Sequence, residues 1–110
     1  MELLQAFADK MMTADAVGLS ELFDTDCSFD DYCITGLFPA ETHLLGKEAI
    51  DMHFFNRFIF QTYLVTGAEV KDAENAVLDV VNVGQPLKVN AHLDAVTADG
   101  KIVRITLTQA

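Results

Sequence analysis

Near residue 62 the chain changes its hydrophobic period, and that change limits it to a few architectures. Before this point apolar residues recur at helical spacing. Leu3, Phe7 and Met11 stand at i, i+4 and i+8 with Leu4 beside them, which predicts a helix over residues 2–12. Thr13 and Asp15 offer N-cap oxygens to a second helix running to about Phe23, with Ala16, Leu19, Leu22 and Phe23 facing inward. Gly18 in its middle costs about 1 kcal/mol relative to Ala, so packing rather than propensity must hold this helix. Asp24-Thr25-Asp26 reads as the closing turn, residues 27–35 as a short irregular strand, and Gly36 to Leu45 as a loop. A third helix starts after Gly46, where Ile50, Phe54 and Phe58 form one stripe flanked by His53 and Arg57.

From Thr62 onward the period is two. Thr62–Lys71 is rich in β-branched and aromatic residues, and Asp72–Asn75 is turn chemistry. Ala76–Val83 follows, then Gly84-Gln85-Pro86 as a breaker. In Leu87–Val96, Leu87, Val89, Ala91, Leu93 and Ala95 share one face, and Lys88, Asn90, His92 and Asp94 the other. Ala98-Asp99-Gly100 signals a hairpin into Lys101–Thr108. Three helices followed by a four-strand antiparallel run predict one α+β domain over residues 1–110, with no repeat and no linker.

Charge narrows the partners. Through Asp51 the chain carries eleven Asp and Glu against two Lys, and the remainder six acids against five bases, which together make the net −10. An acidic first half repels phosphate backbones and anionic lipid, so neither nucleic acid nor a membrane surface is an expected partner. No apolar run approaches the roughly 20 residues of a membrane helix, and Met1-Glu2-Leu3-Leu4 does not open a secretory signal, so a cytoplasmic location is expected. Cys27 and Cys33 would stand roughly 20 Å apart on one extended strand, beyond the roughly 7 Å a disulfide spans, so both are expected as free thiols. Three scattered histidines and two cysteines make no zinc set, and no phosphate loop or nucleophile elbow occurs, so neither metal nor cofactor is expected.

Several motifs resemble those of the nuclear transport factor 2-like superfamily, which includes ketosteroid isomerases and SnoaL-type polyketide cyclases. Asp15 to Phe23 is similar to its aspartate-capped second helix ending in Leu-Phe, and Asp24 to Phe29 to the acidic turn that enters its first strand. Gly46-Lys47-Glu48-Ala49-Ile50, followed by Phe54-Phe55, resembles its Gly-x-Glu-Ala-Ile helix start, and Asp99-Gly100-Lys101-Ile102 its last hairpin. The resemblance implies a cystatin-like, cone-shaped barrel, with three N-terminal helices in the concave face of a curved, mainly antiparallel sheet of four to six strands. It also implies a homodimer through the outer sheet face.

For ketosteroid isomerase chemistry the resemblance places the base on Asp31, with Asp30 its neighbour. The oxyanion tyrosine would fall near Ala8, beside Phe7, and its supporting tyrosine on Phe54, so neither hydroxyl stands at those positions. The second acid falls on His92 or on Leu93, depending on the end from which it is counted; strand parity puts Leu93 on the helix side and His92 on the outer face. Candidate catalytic residues are therefore Asp31 and His92. An apolar pocket would be lined by Phe7, Met11, His53, Phe54, Phe58, Val89, Leu93 and Leu107.

Each candidate has a plainer reading. Asp30-Asp31 can be a solvated pair, His92 an outer-face residue, His53 a seam residue, and the phenylalanines simply core. Three functions follow: a domain binding an apolar or aromatic small molecule, an isomerase- or cyclase-like enzyme with Asp31 as base, or a ligand-free assembly module.

Overall fold

The computed structural model of the chain describes residues 2–36 and 39–110. Its elements are α1 (Glu2–Met12), α2 (Ala16–Glu21), β1 (Phe23–Asp31), β2 (Thr42–Leu45), α3 (Lys47–Ile59), β3 (Tyr63–Val70), β4 (Asn75–Asn82), β5 (Gln85–Val96) and β6 (Ile102–Gln109). The six strands form one sheet in the order β2-β1-β6-β5-β4-β3, so β2 and β3 are its margins and the sheet is not closed. Four of the five strand pairings are antiparallel, as the alternation predicts, but β1 lies parallel to β6 and makes the sheet mixed. A parallel pair needs a long crossover, and here α3 and the β3–β5 meander lie between its partners in sequence.

Helix α2 is shorter than its apolar pattern suggests. It ends at Glu21, and Phe23 opens β1 instead of closing the helix. The segment Asp24-Thr25-Asp26 therefore belongs to a strand, not a turn, with a register break against β6 between Phe23 and Ser28. Asp15 is the N-cap: its carboxylate accepts from the Gly18 N–H at 2.9 Å and from Lys10 Nζ at 3.3 Å. A Cβ at position 18 would stand 2.4 Å from that carboxylate, so the glycine is the condition of the cap.

In the stretch read as a loop, Thr42–Leu45 forms β2 on β1, while Leu37 and Phe38 lie outside the described residues. The breaker at Gly84 is tighter than expected. Asn82 pairs with Gln85, and Val83 and Gly84 both have positive φ, a two-residue hairpin that lets Gln85 and Pro86 join β5.

One apolar cluster holds these elements together. Leu4, Phe7, Leu19, Ile50, Leu78, Ile102, Ile105 and Leu107 are all fully buried in it. Alternate strand residues enter the cluster: Cys27 and Phe29 on β1, Tyr63 and Val65 on β3, Val89, Ala91 and Leu93 on β5. Phe54 of α3 meets Phe29 of β1 at 5.2 Å and Tyr63 of β3 at 5.8 Å between ring centroids. Those strands stand four interstrand steps apart, roughly 19 Å in a flat sheet. A single ring touching both β1 and β3 requires the sheet to bend toward α3.

Truncating a wholly buried side chain on a central strand leaves a cavity that cannot collapse. Ile105→Ala is expected to lower the unfolding free energy by about 2–5 kcal/mol. Urea denaturation checks this, with the m-value unchanged.

Candidate functional site

The bend gathers a small set of polar side chains on the inner face. Asp31 ends β1, is only 8% exposed, and has Leu107 of β6 as its Cα partner. Its Oδ1 accepts from the Cys33 N–H at 2.8 Å, and the Cys33 thiol also hydrogen-bonds the carboxylate. Burial pushes the Asp31 carboxyl above its ordinary value. The Cys33 hydrogen bonds and the charges of Arg57 and His43 pull the other way without cancelling it. Burial, with the Asp31 charge beside it, pushes the Cys33 thiol up to about 12. Both cysteines are free and buried, as their spacing predicts.

Tyr63 lies across from Asp31. Its ring is buried, and its hydroxyl is enclosed with no hydrogen-bond partner among the described residues. Burial raises this phenol well above its usual range, and the nearby Asp31 charge adds to the effect while Arg57 opposes it. The hydroxyl is therefore neutral, a donor with no acceptor among the described residues.

Arg57 is fixed beside it by the way α3 ends. The Thr62 N–H donates to the Arg57 carbonyl at 2.9 Å and the Gln61 N–H to the Phe58 carbonyl at 3.1 Å, with Gln61 in the left-handed region. This Schellman ending returns Thr62 onto Arg57, whose Nε donates to Thr62 Oγ1 at 2.8 Å and Nη2 to the Thr62 carbonyl at 2.9 Å. Nη2 also donates to the buried Asn82 Oδ1, and the guanidinium lies 5.2 Å from the Tyr63 ring centroid. Half-buried His53 stacks edge-on against Phe54 at 4.9 Å, and burial, helped by the Arg57 charge, lowers its pKa and keeps it neutral at pH 7.

The sequence candidates thus divide. Asp31, His53, Phe54, Phe58 and Leu107 fall in or beside this cluster, with Phe58 5.4 Å from Phe54. Phe7 is buried at the other end of β1, 6.4 Å from Phe23. Met11, Val89 and Leu93 are buried core residues. His92 is on the outer face, where Nδ1 meets Asn75 Oδ1 at 2.9 Å and Nε2 stands 3.8 Å from Asp94. It does not join Asp31, so its candidacy as a catalytic partner is corrected by strand parity: Leu93 takes the inner position. Asp30 also points outward, toward His43 at 2.8 Å and Arg104 at 3.5 Å, so the adjacent aspartates are not a solvated pair.

Tyr63, Cys33, Arg57 and Asn82 were not among the sequence candidates. Parity was the available signal for Tyr63, which shares a face with Val65, and for Cys33, two residues from Asp31. Among the described residues no group of three or more His, Cys, Asp or Glu is placed to hold a metal, and no helix is long and apolar enough to cross a membrane.

The arrangement is that of the nuclear transport factor 2-like fold, also called ketosteroid isomerase-like or cystatin-like, and the chain has this fold. A proposed isomerase from Bacillus subtilis superposes with a TM-score of 0.68 at 22% identity, over 96% of this chain and 82% of that one. A protein of ketosteroid isomerase-like fold from Catenulispora acidiphila, in complex with trimethylamine, gives 0.66 at 18% identity, over 99% and 85%. A nuclear transport factor 2-like protein of unknown function from Cytophaga hutchinsonii gives 0.65 at 13%, over 99% and 88%. No protein-family model matches the sequence, and no curated protein matches it.

A carboxyl raised by burial makes the folded state bind its proton more tightly than the unfolded state does. Stability contributed by the neutral acid is therefore full below its ordinary value of 3.8 and is lost as pH rises toward the raised value. Asp31→Asn, which keeps the Oδ1 acceptor, is expected to flatten this fall and to unfold at higher denaturant concentration at pH 7. Urea midpoints of both proteins measured across this window check the sign. The two thiols should react with a disulfide reagent only in denaturant.

Proposed function

We propose that the domain binds a small molecule with an apolar or aromatic body and one acceptor oxygen, held between Asp31, Tyr63 and the rings around Phe54. The Tyr63 hydroxyl carries this reading: it is buried, unpartnered among the described residues, and on the same inner face as a buried carboxyl. An unsatisfied buried donor costs about 1–3 kcal/mol, which a ligand carbonyl or hydroxyl would recover. Phe29, Phe54 and Phe58 supply the flat apolar walls that such sites use. The complex of a protein of this fold with trimethylamine supports a small organic ligand without fixing its identity. The free buried thiols suit a reducing, cytoplasmic setting.

A second reading rests on the raised Asp31 carboxyl. Asp31 as carboxylate would take a proton from a carbon next to a ligand carbonyl, and the Tyr63 hydroxyl would donate to the oxygen as charge gathers there. The same carboxylic acid would then return the proton to another carbon, completing an isomerisation with no other reactant. Activity of this kind would rise with pH through the Asp31 pKa.

Ligand-observed NMR with a panel of aromatic ketones and phenols tests the binding reading. Tyr63→Phe is expected to weaken the best binder by about tenfold, the worth of one hydrogen bond of about 1.4 kcal/mol. Equal binding by Tyr63→Phe would refute this placement of the ligand. If any panel ketone is turned over, Asp31→Asn should abolish that turnover with the fold intact; undiminished turnover would remove Asp31 from the chemistry.

A further inference from the structure

A second cluster of charged side chains lies on the outer side of β1, and the inner site makes no use of it. His43 of β2 is the Cα partner of Asp30. Its Nδ1 stands 2.8 Å from Asp30 Oδ1 and its Nε2 3.2 Å from Glu41 Oε1, while the Tyr32 ring meets it edge-on at 5.2 Å between centroids. The other oxygen of Asp30 stands 3.5 Å from Nε of Arg104 on β6. Asp30 thus ties β1 to both of its neighbours.

Both ring nitrogens of His43 face carboxylate oxygens, which when ionised accept and do not donate. Only the imidazolium, with a proton on each nitrogen, satisfies both. The neutral ring carries one N–H. It can serve Asp30, the nearer carboxylate, but then turns a lone pair toward Glu41.

We propose that His43 is a pH-sensitive clamp: as imidazolium it holds β2 on the end of β1 that carries Asp31, and on losing its proton it releases Glu41 and loosens that margin. Little else holds β2. It is a margin strand of four residues, its Leu45 is exposed, and Leu44 reaches the core cluster only half-buried.

Charge acts in the same direction. Among the described residues, His43 and Arg104 are the cations facing Asp30 on the outer side, and Arg57 acts on Asp31 from the inner side. Without the His43 charge, Asp30 and Glu41 share Arg104 alone. The hydrogen bonds from His43 to Asp30 and then to Glu41 raise the ring's pKa above its ordinary 6.5. The clamp's contribution is therefore full below 6.5 and is lost as pH rises through the raised value.

Register links the clamp to the inner face. Thr42, next to His43, is the Cα partner of Asp31, so a loosened β2 frees the backbone neighbour of the inner carboxyl. The His43 charge also draws the Asp31 pKa down. This coupling concerns the enclosure of Asp31 and holds with or without a ligand.

Two measurements on the full chain test the proposal: a proton NMR titration of the histidine rings, with His43 assigned by its loss in His43→Gln, and amide hydrogen exchange of residues 42–45. The His43 midpoint is expected above 6.5 and should fall in Glu41→Gln. Protection of the β2 amides, corrected for the intrinsic pH dependence of exchange, should drop about two- to fivefold through that midpoint, the size expected of exposed ion pairs. Amides of the β4–β5 ladder should show no such step. His43→Gln should abolish the step, with circular dichroism confirming its fold. Glu41→Gln, whose amide can serve either form of the ring, should flatten it. A midpoint at or below 6.5, a midpoint unmoved by Glu41→Gln, protection constant through the midpoint, or an equal step in His43→Gln would each overturn the proposal.

Discussion

Phe54 is the side chain on which the inner face depends. Its ring meets Phe29 near one margin of the sheet, Tyr63 at the other, and Phe58 one turn along its own helix. Each contact is worth about 0.5–1.5 kcal/mol beyond the area it buries, but the geometric effect is larger than the energy. The bend that lets one ring reach both β1 and β3 also brings the phenol at the start of β3 under the influence of the carboxyl at the end of β1. Neither Asp31 nor Tyr63 is unusual in its own strand. What is unusual is that the Asp31 charge acts on the Tyr63 phenol across three intervening strands.

That enclosure sets the chemistry. Low-dielectric surroundings favour the neutral acid on Asp31, the neutral phenol on Tyr63 and the neutral imidazole on His53. Arg57 is the counterweight, tied by the Schellman ending of α3 to Thr62 and onward to Asn82. Its charge eases the ionisation of both Asp31 and Tyr63 and makes protonation of His53 harder. A buried carboxyl, a donor hydroxyl and a fixed cation on one apolar face are groups that could orient a polar oxygen, as the proposed binding function requires.

Much of the fold was legible because hydrophobic period is a local signal. The stripe Ile50–Phe54–Phe58 marked α3, and the alternation through Val89, Ala91 and Leu93 gave the inner face of β5, though not its first two residues, Gln85 and Pro86. The same parity put Leu93 inside and His92 outside. Short elements were harder: Leu22 and Phe23 continue the apolar pattern of α2, but tertiary pairing of Phe23 with Ile102 takes that residue into β1. The four residues of β2 carry too few positions to show a period at all. Asp31 was legible as a candidate, yet its partner hydroxyl was sought on the first and third helices, where Ala8 and Phe54 stand. Tyr63 supplies a hydroxyl from β3 instead, and only the bend of the sheet reveals that it faces Asp31.

Likeness of fold at 22% identity or less does not carry function from one protein to another, so the account stands on the enclosure of Asp31 with Tyr63. A carbon-13 NMR titration of the Asp31 carboxyl, assigned by its absence in Asp31→Asn, measures that directly. The account predicts a midpoint clearly above 3.8 in the folded protein, shifted again when a ligand occupies the inner face. A midpoint at or below 3.8 would mean that the carboxyl is solvated, and would contradict both the buried site and the function read from it.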